Sequence, residues 1–263
     1  MANLRVAHAY DRNRYHPPEV SGKIATAIVE PLEKEWKDGA HVLEVGVGTG
    51  RIGMPVVARG LRLTGVDTDT EMMSAFRSKF AGVSKRVTLV EGDAQDLPFA
   101  DHSFHGVIAV HVWHLIPDLT RALDEATRVL RQGGFLFEGW DSPAMSSPEL
   151  EIQNAWCKAL EGMGHPVQRG GHRAALKASA VYLSAKHLES TERVIATWEV
   201  SHTPLEVVEA LEDGLYSFTK NVPMELRFAA GRAIKPWLNA QYSDLETSIK
   251  TPWAFHLRTT RVK

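Results

Sequence analysis

The segment His41–Gly53, HVLEVGVGTGRIG, is the feature that most constrains how this chain can fold. An apolar run at 42–45 is followed by glycines at 46, 48, 50 and 53. Glycine permits a tight turn and, because it has no Cβ, lets a ligand approach the backbone amides at a helix start. A strand, a glycine loop and a helix in this order predict a nucleotide-binding turn in an α/β fold.

Further short apolar segments continue this alternation of strands and helices. They lie at 61–66, 87–90, 104–110 and 135–139, and two more strand-like segments follow at 192–201 and 253–262. Strands and helices in alternation predict a parallel sheet with helices on both faces. Two helical segments between the last two strands indicate an insertion rather than a separate linked domain.

Several helix boundaries are marked by capping residues. Asp118 is expected to begin a helix whose apolar face runs to Leu130, and Gly133–Gly134 is expected to end it. Ser147 and the capping box Thr203–Glu206 predict two further helix starts, and a last helix is expected at about 223–242. The glycine-rich segment HPVQRGGH, at 165–172, is expected to be a loop.

Composition argues against two classes of partner and favours one compartment. The chain has 263 residues, 44% of them hydrophobic and 24% charged, and its formal net charge of -2 gives no bulk attraction to nucleic acid or to an anionic membrane. Cys157 is the only cysteine, and the first twenty residues contain no long apolar stretch. We therefore expect a cytoplasmic protein, a monomer or a homodimer, without an internal disulfide framework.

Two binding patterns overlap in the glycine loop. A dinucleotide site would use Gly48, Gly50 and Gly53, with Asp67 about twenty residues further on holding a ribose hydroxyl. A second pattern uses Glu44, Gly46, Gly48 and Gly50 with the same Asp67. Vicinal ribose hydroxyls are two donors, and a carboxylate accepts both, so Asp67 suits either pattern. The loop alone leaves both open.

Residues outside the loop favour the second pattern. VLEVGVGTGR, LTGVDTD, VEGDAQDLPFADHSFHGVIAVHVWHLIPD and RVLRQGGFLFEG occur in this order, and together they resemble the class I S-adenosylmethionine-dependent methyltransferases. The branch that includes the ubiquinone and menaquinone biosynthesis methyltransferases is the most similar. The resemblance covers roughly 40–140, with a weaker likeness in AYDRNRYHPPEV near the start.

The resemblance implies an organisation for the whole chain. It implies an α/β, Rossmann-like sheet of seven mostly parallel strands with an antiparallel last strand and helical insertions in the C-terminal half. A single methyltransferase domain, 1–263, would consist of an N-terminal cap at 1–39, a cofactor-binding core at 40–142, and helical substrate-side additions at 143–190 and 203–247.

The resemblance also implies roles for individual residues around S-adenosylmethionine, with S-adenosylhomocysteine as the product. Glu44 would support the loop and the methionine end of the cofactor, and Asp67, with Thr68 beside it, would hold the ribose. Gly46, Gly48 and Gly50 would form the loop surface against which the cofactor lies, and Asp93 and Ala94 would contact the adenine. Val110 (or His111) would lie next to the sulfonium. Tyr10 and Arg14, together with Tyr15 and His16, belong to the segment that would fold over the cofactor.

Catalytic residues are harder to predict, because methyl transfer from a sulfonium releases a neutral leaving group and depends mainly on positioning. A general base is needed only for a hydroxyl or protonated amine. The candidates after the fourth and fifth strands are His111, His114 and Asp141, although packing against the next helix is an alternative explanation for the histidines. We predict no metal site, since no histidine pair has ligand spacing with a cysteine or carboxylate partner.

These observations predict a methyltransferase that moves a methyl group from S-adenosylmethionine to an O, N or C atom of a small-molecule acceptor. Two alternatives remain open at this point. One is a Rossmann-type NAD(P)-dependent oxidoreductase that uses the overlapping glycine pattern. The other is a protein that binds S-adenosylmethionine without transferase activity, because no base is obvious in the sequence.

Overall fold

The computed structural model describes residues 16–37, 39–80, 85–167 and 169–263. The strands are β1 His41–Val45, β2 Arg62–Asp67, β3 Val87–Glu91, β4 Phe104–Val110, β5 Leu130–Pro143, β6 Ser190–His202 and β7 Ile249–Arg261. The helices are α1 Pro18–Glu35, α2 Gly53–Ala58, α3 Thr70–Lys79, α4 Leu119–Arg128, α5 Pro148–Gly162, α6 Gly171–Ala185, α7 Pro204–Glu212 and α8 Met224–Gln241. Short 3-10 helices lie at Trp113–Leu115 and Ser217–Thr219.

The seven strands form one sheet in the order β3-β2-β1-β4-β5-β7-β6. Strands β1 to β5 pair in parallel. Strand β7 runs against β5, because the amide of Gly133 donates to the carbonyl of Val262, while the amide of Ala144, the residue after β5, donates to the carbonyl of the earlier residue Pro252. The predicted seven-stranded, mostly parallel sheet with an antiparallel last strand is confirmed.

The strand order places a ligand crevice at one position. From β1 the chain continues outward through β2 and β3, and then returns to the other side of β1 with β4. Ligands of open α/β sheets bind outside the carboxyl ends of the strands at such a switch point. Residues Val45, Asp67 and Val110, which end β1, β2 and β4, meet at this edge.

The junction between α4 and β5 differs from the prediction. Asp118 caps α4 as expected, accepting from the amide of Arg121 at 3.0 Å. The helix ends at Arg128, however, and Leu130, predicted on its apolar face, begins β5 opposite Phe104. Gly133 does not end the helix. It has φ 77° at the irregularity where three extra residues enter β5, and its amide bonds to β7.

Other helix starts agree with the sequence, and one helix was missed. The Ser147 side chain caps α5, and Thr203 and Glu206 form the predicted capping box of α7. The segment 171–185, which lies in the predicted helical addition at 143–190 but was given no helix bounds of its own, forms α6. Its many alanines give little contrast between apolar and polar positions, so the helical periodicity is weak.

The chain divides into two compact units. Unit 1 consists of Met1–Asp141, Gly171–Ala196 and Phe255–Lys263, and unit 2 of Ser142–Gly170 and Thr197–Ala254. Unit 1 contains α6, which the sequence analysis grouped with the additions at 143–190; the single-domain organisation stays a prediction. Within the described residues, no helix combines the length and the apolar character that crossing a bilayer would require.

Candidate active site

The glycine loop after β1 can be built only with glycine at its tightest points. Gly50 has φ 83°, and a Cβ at this position would lie 2.3 Å from Cε2 of the buried Phe76 ring. A Cβ on Gly46 would lie 2.7 Å from Cγ2 of Val112. The loop therefore presents bare backbone at the carboxyl end of β1, as a ligand-binding turn requires.

Asp67 is held against this loop by two backbone amides. Its Oδ2 accepts from the amide of Gly48 at 2.8 Å, and its Oδ1 accepts from the amide of Asp69 at 2.9 Å. The carboxylate at the end of β2 is thus fixed beside the loop, and the exposed Thr68 lies next to it. A carboxylate has further lone pairs and can accept hydroxyl donors in this orientation.

Glu44 is a buried acid on β1 beneath the loop. It is 3% exposed, and its Oε2 has no hydrogen-bond partner among the described residues. Burial raises the pKa of Glu44 to about 8; the positive charge of Arg51 and the amide of Gly53 oppose this rise, and the charge of Asp67 adds to it. Glu44 is therefore mainly protonated at neutral pH.

The raised pKa of Glu44 predicts a pH-dependent stability. Because the folded-state pKa of about 8 exceeds the ordinary value of 4.5, the protonated acid is favoured in the folded state, and this contribution is lost as the pH rises. The free energy of unfolding of wild type relative to Glu44→Gln should fall by about 2–3 kcal/mol between pH 5 and pH 7, as measured by urea denaturation. Parallel pH profiles of the two proteins would contradict the assignment.

Gly53 has a packing role. A Cβ there would lie 2.3 Å from Oε2 of Glu44 and 2.5 Å from Cδ2 of Leu63. Its lack of a side chain is thus explained by the close approach of α2 to the strands beneath it. The third glycine of a dinucleotide pattern has the same packing role, so Gly53 is compatible with either pattern.

Asp141, the last residue of unit 1 on β5, is surrounded by three basic side chains. Oδ1 lies 2.8 Å from Nε2 of His16, and Oδ2 accepts from Nη1 of Arg51 at 3.2 Å. The backbone amide of Asp141 donates to Nε2 of His111 at 2.8 Å. Asp141 and His16 are both less than a tenth exposed, so this cluster lies in the interior.

Neutral histidine tautomers account for the contacts with Asp141 and with Nδ1 of His16, while Nη1 of Arg51 also lies 2.6 Å from Nε2 of His16. If His16 donates from Nε2 to Asp141, its Nδ1 accepts from Nη1 of Arg51, 3.1 Å away. If His111 accepts the Asp141 amide at Nε2, its own proton lies on Nδ1. Another tautomer of His111 would donate from Nε2 to Oδ2 of Asp141, 3.1 Å away, as in an acid–histidine pair.

Electrostatics favour the ionised form of Asp141. Burial by itself would raise the pKa of this carboxyl, but the charge of Arg51 and the hydrogen bonds with His111 and His16 outweigh it and hold the pKa well below its usual range. His111 also has φ 54°, a left-handed conformation uncommon for residues other than glycine. Backbone conformations of this kind concentrate at functional sites.

The remaining predicted contacts lie at the ends of β3 and β4. Asp93 is exposed, and its Oδ1 accepts from the amide of Gln95 at 2.8 Å, which lowers the pKa of its carboxyl together with the Gln95 side chain. Ala94 and Val110 are buried, with Val110 opposite Gly139 in the sheet. Asp93 thus makes the local contacts of a turn residue and keeps an exposed carboxylate.

His114 lies on the 3-10 helix after β4, close to a histidine that the sequence analysis did not select. Nδ1 of His114 is 3.4 Å from Nδ1 of His172 on α6. The neighbouring Trp113 is only 3% exposed and donates to Glu138 at 2.9 Å, so its indole is part of the core. Trp140, in contrast, is partly exposed and stacks on His256.

Several predicted and unpredicted residues complete the site. Tyr10, Arg14 and Tyr15 lie outside the described residues. Arg51 was not selected, although its place directly after Gly50 could have indicated a role; nothing near His172 in the sequence signals one. The part of the chain that the structure describes contains no group of three or more His, Cys, Asp or Glu side chains arranged to hold a metal ion.

The chain is similar to known proteins both in sequence and in structure. Residues 43–137 match a family model described as a methyltransferase domain. The chain is 35% identical over 197 residues to a fatty-acid O-methyltransferase of Mycolicibacterium smegmatis, an alignment that covers 73% of this chain and 64% of that protein. It is also 35% identical over 115 residues to a ubiquinone/menaquinone biosynthesis C-methyltransferase of Rhizobium meliloti, covering 42% and 45% of the two chains.

A solved structure extends the likeness of fold to most of the chain. A protein from an antibiotic biosynthesis pathway of Anabaena variabilis superposes with a TM-score of 0.59 at 16% identity, covering 88% of this chain and 95% of that one. At this identity the likeness shows the fold alone. In sequence, the chain spans about half the length of the curated relatives it matches.

Proposed function

Because the chain belongs to the class I S-adenosylmethionine-dependent methyltransferases, we propose that it moves a methyl group from S-adenosylmethionine to an O, N or C atom of a small-molecule acceptor. The observation that carries the proposal is the glycine loop of β1 with Asp67 fixed beside it. The named relatives are a fatty-acid O-methyltransferase and a ubiquinone/menaquinone biosynthesis C-methyltransferase, which supports a small organic acceptor.

The residues present fit the cofactor in charge, in hydrogen bonding and in shape. Gly46, Gly48 and Gly50 all have positive φ angles, so the loop turns tightly and its backbone carries no side chains at these positions. Asp67 would accept the ribose hydroxyls, and the buried Glu44, whose Oε2 lacks a partner among the described residues, would support the loop and the methionine end. Asp93 and Ala94 would contact the adenine, with Thr68 beside the ribose and Val110 near the sulfonium.

Bound S-adenosylmethionine supplies an electrophilic methyl group on a sulfonium. The contribution of this chain is then to orient the two reactants, an effect worth several kcal/mol, up to about 7–11 in well-aligned reactions. Where the acceptor is a hydroxyl or a protonated amine, a base must also take a proton. His111 and His114 are the proposed bases, and Asp141 is proposed to orient His111 and to stabilise its charged form.

The Asp67→Ala variant tests the proposed ribose contact. Loss of a carboxylate that accepts two hydroxyls should weaken binding of S-adenosylhomocysteine by about 1.5–3 kcal/mol, or roughly 10- to 150-fold, in isothermal titration calorimetry. Asp101→Ala is the control, because it removes an exposed carboxylate from the turn before β4, at the opposite end of that strand from the crevice. Equal affinities of Asp67→Ala and Asp101→Ala would remove Asp67 from the ribose site.

A further inference from the structure

Helix α6 places a histidine ring beside both proposed bases. The ring of His172 lies 5.1 Å from that of His114, at an interplanar angle of 88°, and 5.0 Å from that of His111, at 33°. The two Nδ1 atoms of His114 and His172 face each other at 3.4 Å. All three residues belong to unit 1.

The facing Nδ1 atoms restrict the tautomers of the pair. A neutral imidazole carries its proton on one nitrogen and a lone pair on the other, so one Nδ1 must donate and the other must accept. A histidine that takes a proton at Nε2 begins with its own proton on Nδ1. When His114 is the donor, His172 therefore fixes the tautomer that a base needs. A carboxylate has the same role in an acid–histidine pair.

One buried carboxylate joins the two elements that carry this pair. Glu138 on β5, with no exposed surface, accepts from Nε1 of Trp113 at 2.9 Å and from Oγ of Ser179. Trp113 directly precedes His114 on the 3-10 helix, and Ser179 lies on α6. A buried carboxylate that is bonded to both elements holds them in one arrangement, because losing either bond would leave it partly unsatisfied.

Arg258 on β7 adds a second connection to α6. Its Nη1 donates to the carbonyl of Leu176 at 3.0 Å and lies 3.4 Å from Oε2 of Glu138. Leu176 is one turn along α6 from His172. These buried polar contacts therefore hold His172 in a fixed position relative to His114.

We propose that His172 is a positioning residue for His114. It accepts a hydrogen bond from the Nδ1–H of His114, so that the lone pair of His114 lies on Nε2 and can receive the proton of the methyl acceptor. The proposal rests on the proposed function, in which His114 is a candidate base. As the bond from the acceptor oxygen or nitrogen to the methyl carbon forms, the bond from carbon to sulfur breaks and the acceptor proton moves to Nε2. The positive charge of His114 is then stabilised by donation from Nδ1 to the neutral ring of His172.

Nitrogen NMR of the histidine rings tests this assignment without an acceptor. In protein labelled with 15N-histidine, the ring nitrogen shifts distinguish protonated from unprotonated Nδ1 and Nε2, and we expect the Nδ1-protonated tautomer of neutral His114 to dominate. His172→Phe keeps an aromatic ring but has no acceptor, so the tautomer ratio should shift toward Nε2 protonation by about 3- to 10-fold, the size of one net hydrogen bond.

Two further variants separate positioning from general structural effects. His172→Asn keeps an acceptor near the Nδ1 position and should restore most of the wild-type ratio, whereas His187→Asn, just beyond the end of α6, should leave it unchanged. An unchanged ratio in His172→Phe, or a dominant Nε2-protonated tautomer in wild type, would overturn the proposal. Binding of S-adenosylhomocysteine to wild type is measured separately, and its failure would count against the proposed function while the tautomer result stands by itself.

Discussion

Replacing Asp141 with alanine is expected to lower the free energy of unfolding by about 3–5 kcal/mol, because it leaves a buried guanidinium without its counter-charge. The Arg51 side chain is only 12% exposed where it meets Asp141, and His16, 1% exposed, loses its partner at the same time. Urea denaturation of the two proteins at pH 7 measures the difference.

The matched control for Asp141→Ala is Asp101→Ala, which removes a carboxylate from an exposed ion pair with Arg128. Exposed pairs contribute little, and we expect a loss below about 1 kcal/mol. Since the pKa of Asp141 is depressed, its stabilising contribution is present above pH about 4 and is lost as the pH falls through the folded-state pKa. Equal losses in the two variants, or no acid dependence, would contradict the buried cluster.

Replacing Gly50 with alanine is expected to lower the free energy of unfolding by about 2–5 kcal/mol. A left-handed conformation costs a residue with a Cβ about 1–2 kcal/mol, and overpacking against the buried Phe76 ring adds about 1–3. The loop must shift to relieve the contact, so binding of S-adenosylhomocysteine should also fall at least about ten-fold, which corresponds to 1.4 kcal/mol.

Gly22→Ala provides the control for the same chemical change. Gly22 lies inside α1, and a Cβ there would meet nothing within 4 Å. Alanine in a helix interior is more stable than glycine by up to about 1 kcal/mol, so this variant should match or exceed the wild type. A Gly50→Ala variant as stable as Gly22→Ala, with full ligand affinity, would show that the loop is not constrained as described.

The fold could be predicted from the sequence where the signal is local. Strand β4 has the predicted bounds, 104–110, because a fully buried strand forms a continuous apolar run. The caps at Asp118, Ser147 and Thr203 were also predicted, since each depends on one side chain and the backbone within three residues of it. The start of β5 was not predicted, because pairing with Phe104 and with β7 makes Leu130 part of a strand although the sequence pattern there is helical.

The site was predictable in part for the same reason. The glycine loop and Asp67 lie within one strand–helix–strand unit, and their spacing carries the prediction. The cluster around Asp141 joins His16, Arg51 and His111, which lie 125, 90 and 30 residues away in the chain. Only the order of the strands in the sheet brings these residues together. His172 also comes near the other histidines only in the folded chain, and it lies on α6, the helix that the sequence pattern did not reveal.

The most direct test of the central claim is calorimetric titration of the wild-type protein with S-adenosylhomocysteine and, separately, with NAD. Membership of the methyltransferase family, with the glycine loop and Asp67 in place, predicts one S-adenosylhomocysteine bound per chain and no measurable heat from NAD. Binding of NAD, with none of S-adenosylhomocysteine or S-adenosylmethionine, would contradict the account and assign the glycine loop to a dinucleotide.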